Sequence, residues 1–259
     1  MNRLHLALLL GAGLPLLAAI IVVADRRGFL RTAAFPSPLR RRLALGLFFF
    51  HLVLTVLAPA VAGTRRIDVS GLGFSQVVLA QGLLAAFLAA WWLLAGRPPL
   101  GGFLGLSCPD PLREAGRGVL LGVGGWGATL AIGVAVSLVG SGLGIQPTGV
   151  SPLLRWIVGQ PLAQRLAVVA MAMTLEEFYY RAFLQSRLGA VVASILFLLA
   201  HAGYGDLRIL VVLLGVTVIL AVAYQRSGSA IAPIFAHGTF DAIQLFIVAP
   251  AVLRHLPVS

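Results

Sequence analysis

Three acidic side chains of this chain, Glu176, Glu177 and Asp241, lie inside apolar stretches, and two of them, Glu177 and Asp241, have an ionisable neighbour four residues away. In Thr174-Leu-Glu176-Glu177-Phe-Tyr-Tyr-Arg181, Glu177 and Arg181 are four residues apart and can pair on one helical face. Glu176 is rotated about 100° from Glu177 and is left as the carboxylate available for chemistry. In His237-Gly-Thr-Phe-Asp241 the spacing is again four, so the Asp can orient the imidazole. Phe197-Leu-Leu-Ala-His201 supplies a second histidine. A carboxylate and two imidazoles around a water can perform general acid–base chemistry. The same trio, Glu176, His201 and His237, is also a possible zinc triad with an open fourth position. A polar network that only locks helices, and a proton or ion pathway, are further readings of the same residues.

The elements that carry these residues follow from composition. Of 259 residues, 59% are apolar and only 10% are charged. A soluble domain has about 25% charged residues, and disorder needs low hydrophobicity, so both classes are excluded. The net charge of +11 comes from 19 bases, all arginine, that sit mostly in short breaks between apolar runs. That is membrane-flanking charge rather than a nucleic-acid face, and no nucleic-acid partner is expected. The single cysteine, Cys108, excludes an internal disulfide and a cysteine-based zinc site.

A spanning helix needs about 20 mostly apolar residues. Runs between charge and Gly/Pro breaks give eight candidates, at roughly 4–24, 43–62, 73–95, 118–139, 162–182, 189–203, 207–224 and 230–253. The fold expected is an all-α polytopic membrane bundle of about eight helices, one domain over 1–259, with its chemistry in 162–245. The first run is longer than the usual 7–15 residues of a signal-peptide core and reads as a retained helix. Alternating the breaks between sides places eleven arginines on one side and seven on the other, with Arg181 left aside. The richer side is expected in the cytoplasm, which puts the N-terminus outside a plasma membrane.

Lesser features have modest readings. Gly118 and Gly122 form a GxxxG, expected to serve close packing inside the bundle rather than a dimer face. Segment 140–161, with Pro147, Pro152 and Pro161, reads as a loop with an interfacial turn around Leu153–Val158. His5 lies at a helix end, and His51, alone in mid-helix, reads as a packed histidine.

Depth brings the polar residues together. The midpoint between Glu176 and His201 falls in the break around Arg187–Gly189, so both lie roughly 15 Å from one membrane face. Measured from the break at Gln225–Ser229, His237 lies roughly 12 Å deep and Asp241 roughly 18 Å. An ionisable group at that depth costs about 2.5–3.5 kcal/mol on insertion scales unless it is paired or faces a cavity.

Glu-Glu-x-x-x-Arg, then Phe-x-x-x-His, then His-x-x-x-Asn/Asp, in that order, resembles the CAAX-processing and bacteriocin-processing (CPBP, or Abi) intramembrane proteases, among them the type II prenyl-protein endopeptidases. Glu176, Glu177, Arg181, Phe197, His201, His237 and Asp241 fill the pattern. Arg181-Ala-Phe-Leu-Gln and Tyr224-Gln-Arg-Ser-Gly-Ser-Ala-Ile-Ala-Pro-Ile-Phe-Ala-His237 resemble the family's surroundings of the first and third motifs. The resemblance implies hydrolysis of a peptide bond in a membrane-associated protein or peptide. It assigns water activation to Glu176 and His201, and oxyanion stabilisation to His237 and Asp241. Glu177, Arg181 and Phe197 take supporting positions.

A divalent metal such as zinc, held by Glu176, His201 and His237, and a metal-free glutamate mechanism are both consistent with the resemblance. A catalytically silent scaffold or bacteriocin-immunity factor of the same family is the alternative function. Asp241 stands where Asn is also found, and an ionised Asp cannot donate to an oxyanion. It can orient His237, carry a proton or bind a metal. The short link between the first two motifs predicts a brief hairpin. The arginine-only base set suggests a GC-rich bacterial source.

Overall fold

Backbone polar groups have no water to bind inside a bilayer, so an apolar run that crosses it must close its own hydrogen bonds as a helix. The computed structural model describes residues 9–62, 71–144, 151–204 and 207–255, and these are helical without a strand among them. Arg3, His5, Arg65, Arg66, Asp68, Pro147 and Asp206 lie outside the described residues.

Nine helices matter here. They are α1 (Leu14–Arg26), α2 (Pro38–Ala60), α3 (Phe74–Leu94), α4 (Pro111–Gly142) and α5 (Pro152–Gly159). Then come α6 (Leu162–Met171, running on through Ala172–Gln185), α7 (Ser186–Ala200), α8 (Leu207–Ser227) and α9 (Ile231–Arg254). Among the described residues, six helices are long and apolar enough to cross a membrane. Of the eight expected runs, 162–182 and 189–203 are the two arms of the Leu162–Ala200 stretch, which folds back at Gly189, and 4–24 lies partly outside the described residues.

Two helices start earlier than their apolar runs, because their caps lie in the polar breaks. Ser37 accepts a hydrogen bond from the Arg40 amide at 3.3 Å, and Pro38 opens α2. Asp110 accepts from the Arg113 amide at 3.0 Å, and Pro111 opens α4, with Glu114 in its first turn. Arg40, Arg41, Arg42, Arg113 and Arg117 therefore lie on helical turns rather than in loops. Within 140–161, helix α4 persists to Gly142, later than expected, residues 145–150 lie outside the described residues, and the turn expected around Leu153–Val158 is the two-turn helix α5, which Pro152 starts and Pro161 follows.

The chain reverses at Gly189, whose φ of +84° and ψ of 165° suit a residue without a Cβ. The α6–α7 hairpin is tight enough to bring Glu176 within 4.0 Å of His201. Trp91, Phe87, Phe48, Phe183, Tyr179 and Phe197 are all almost fully buried and join α2, α3, α6 and α7 into one aromatic core. Phe183 meets Trp91 edge-on at 4.9 Å and Phe87 at 5.0 Å, the arrangement aromatic quadrupoles favour. His51 packs within this core, stacked on Phe87 at 4.3 Å, as expected of it.

The other half of the bundle is held by small residues. A Cβ on Gly118 would lie 2.4 Å from the Ala232 carbonyl oxygen, and one on Gly122 would lie 2.6 Å from that of Ala236. The GxxxG is thus spent inside the molecule, seating α4 against the helix that carries His237. The start of α9 is pinned by Gly105, whose carbonyl accepts from the Ala230 amide at 2.7 Å and from the Ser229 hydroxyl at 2.9 Å. Large apolar side chains such as Leu79, Leu120, Leu138 and Val191 point outward, as a lipid-facing surface requires.

Candidate active site

Helix α6 is the axis of the site. From Ala172 to Gln185 it winds as a π-helix, as Leu9–Gly13, Val53–Leu57 and Ile243–Val248 do over shorter lengths. Its residues 179–185 are all buried, as are Glu176 and Glu177, so other helices enclose it. Charged groups survive there only because each is matched.

Glu177 is fully buried and serves two partners. Arg181 Nε donates to its Oε2 at 3.1 Å, and His237 Nδ1 donates to its Oε1 at 2.8 Å. The expected Glu177–Arg181 pair is present, and the same carboxylate also ties α6 to α9. Arg181 Nη2 donates to the Thr217 hydroxyl of α8 at 2.9 Å, and its guanidinium lies 5.6 Å from the Phe197 ring centroid. One motif side chain therefore joins three helices.

His237 is engaged at both ring nitrogens. Its Nε2 faces Asp241 Oδ2 at 3.4 Å. With Nδ1–H given to Glu177, a proton must lie between Nε2 and Asp241, because an ionised carboxylate only accepts. Asp241 is thus placed to orient His237, one of the roles open to it.

The second pair sits on the hairpin. His201 Nδ1 donates to the Phe197 carbonyl at 2.7 Å, and its ring stacks on the Phe197 ring at 4.3 Å. This explains the Phe-x-x-x-His spacing: one helical turn delivers both a carbonyl and an aromatic face. The Nδ1–H is thereby fixed, and in neutral imidazole Nε2 is then an acceptor. It faces Glu176 Oε2, also an acceptor, at 4.0 Å. At that distance the two make no direct bond, and a water that donates to both can bridge them.

Two residues of the site escaped the sequence reading. Gln81 of α3 donates from Nε2 to Glu176 Oε1 at 2.7 Å. An amide inside an otherwise apolar run was the available signal, since such a group needs a partner at that depth. Thr217, fully buried, gave no signal, because threonine is common in spanning helices.

A shallow apolar groove of about 360 Å³ lies between α6 and α9, lined by residues that include Met173, Gly238, Thr239, Ala242 and Phe246. It contains the chain neighbours of His237 and Asp241, but not those two side chains. The metal reading needs Glu176, His201 and His237 to converge. Among the described residues no three His, Cys, Asp or Glu side chains are so arranged, and both His237 nitrogens already face carboxylates. The donor set does not fit a metal as it stands.

The family model described as Rce1-like, type II CAAX prenyl endopeptidase, matches residues 158–243. That stretch holds Glu176, Glu177, Arg181, Phe197, His201, His237 and Asp241, but neither Gln81 nor the helices before α5. No curated protein and no solved structure is similar enough to match. Motif order, spanning helices and this match agree: over residues 158–243 the chain is similar to the Rce1-like type II CAAX prenyl endopeptidases.

Proposed function

We propose that this membrane protein is an intramembrane endopeptidase that hydrolyses a peptide bond in a membrane-associated protein or peptide. The reading is carried by one observation: Glu176 Oε2 and His201 Nε2 face each other as acceptors at 4.0 Å, with the His201 tautomer fixed by the Phe197 carbonyl. A water between them loses a proton to Glu176 as its oxygen bonds to the scissile carbonyl carbon. The carbonyl oxygen takes up negative charge, and the N–H of protonated His237 at Nε2 donates to it. The C–N bond then breaks, and the leaving amine takes the proton from Glu176. Glu177 holds His237 from the far side, and Asp241 keeps the ring aligned between substrates. The mechanism uses this chain's own groups and takes the glutamate route.

Membrane lipids and the substrate are the partners of this reading. The arginine bias supports a plasma membrane location with the N-terminus outside. The test is a proteomic comparison of membranes from cells that carry the wild type or Glu176→Ala. New protein termini that appear only with the wild type support the proposal. Identical terminus profiles, with both proteins inserted at equal level, reject it.

A further inference from the structure

Glu176 has two oxygens, and only one of them faces His201. The other, Oε1, accepts from Gln81 Nε2 at 2.7 Å, across 95 residues of sequence. We infer that Gln81 is a positioning residue for the proposed hydrolysis: its amide holds one oxygen of Glu176 so that the other is presented to the water. This inference rests on the protease reading and deepens it.

The amide orientation follows from chemistry rather than from a choice of atom names. Glu176 as a base is ionised and accepts only, so the NH2 end of Gln81 must face it. Bonds from a neutral donor to a carboxylate are short and strong, and 2.7 Å is at the short end. The Gln81 side-chain oxygen then points away, and it is buried without a hydrogen-bond partner. A buried acceptor without a partner carries a desolvation penalty. The rotamer is therefore maintained against a penalty, which the bond to Glu176 offsets.

The scaffold around Gln81 is rigid in the required direction. Gln81 lies one turn before Leu84, and with Leu84, Leu88 and Trp91 it falls on one stripe of α3. Leu84, Phe87, Leu88 and Trp91 are buried, and Phe87 and Trp91 pack on Tyr179 and Phe183 of α6. Those contacts fix α3 against α6 within the same two turns that carry Glu176. Gln81 is thus delivered by the N-terminal helices, which the family match does not cover.

A simple staple between α3 and α6 would also use this bond, and kinetics separates the two roles. The probe is a synthetic peptide spanning the strongest Glu176-dependent terminus from the membrane comparison. Gln81→Met keeps length and apolar packing but removes the donor. A carboxylate misplaced by about 1 Å costs on the order of 10²-fold in rate, so kcat should fall about 10- to 100-fold. KM should stay within about threefold, because the substrate itself does not touch the amide. The melting temperature in detergent should stay near that of the wild type. Gln81→His, which keeps an N–H donor, should recover part of kcat. A folded Gln81→Met protein with wild-type kcat overturns the inference, as do Met and His variants that are equally impaired. If Gln81→Met does not fold, Gln81→Glu decides: it is isosteric, sets a second carboxylate against the first, and must lose kcat. Absence of any Glu176-dependent terminus would instead remove the protease reading, and this inference with it.

Discussion

Glu177 and His237 are joined by a 2.8 Å hydrogen bond between two helices, with Glu177 fully buried. The bond makes the second glutamate of the pair a structural anchor for the histidine of the third motif. The adjacent glutamates therefore divide the work: Glu176 faces Gln81 and His201, while Glu177 faces Arg181 and His237.

The two glutamates should fail differently. Glu177→Ala strips Arg181 and His237 of their carboxylate at once, and breaking a buried pair costs about 3–5 kcal/mol. Loss of folded protein in detergent melting is expected. Glu176→Ala should insert and melt normally but not cleave. A Glu177→Ala protein as stable as Glu176→Ala would contradict this assignment.

Phe197 supplies both a ring and a carbonyl to His201. Phe197→Leu keeps the carbonyl and most of the volume but removes the stack. Reduced turnover with modest destabilisation is expected, whereas Phe197→Ala should cost about 3–5 kcal/mol. Parallel activity and melting curves would show the separation.

Gly118 and Gly122 have carbonyl oxygens of α9 within 2.4 and 2.6 Å of any added Cβ. Gly118→Ala or Gly122→Ala must push α9 away and should cost about 1–3 kcal/mol, more for larger side chains. Activity should fall with stability, because α9 carries His237. Size measurements in detergent should show no change in oligomeric state, since the close contact is internal.

Asp241 faces His237 Nε2 at 3.4 Å. Asp241→Asn retains an oxygen acceptor and should keep measurable turnover. Asp241→Leu removes it and should lose turnover while the protein still folds. Equal activity of the Asn and Leu variants would refute an orienting role.

Thr217 accepts from Arg181 Nη2 at 2.9 Å, and Nη1 of the same guanidinium is already without a partner. Thr217→Val leaves a second buried donor unpaired, at about 1–3 kcal/mol. A lower melting temperature, with KM unchanged, is the expected result.

Composition and spacing were enough for the fold class and for naming the candidate site residues. Low charge and long apolar runs dictate membrane helices, because the bilayer solvates neither side-chain charge nor free backbone. Spacings of four residues determined the Glu177–Arg181, Phe197–His201 and His237–Asp241 relations, because they depend only on one helical turn. Depth counting from the Gly189 break brought Glu176 and His201 to one level.

Relations between helices were decided by tertiary structure. That Glu177 reaches His237, that Thr217 receives Arg181 and that Gln81 holds Glu176 depend on how α3, α6, α8 and α9 are rotated about their own axes. Rotation is set by packing, by the glycines of α4 against α9 and the aromatic rings of α3 against α6. Apolar runs that face lipid on one side and protein on the other look alike in sequence, since both surroundings favour the same residues. Helix ends differed for a local reason: the caps at Ser37 and Asp110 extend α2 and α4 into polar breaks that hydropathy alone reads as loops.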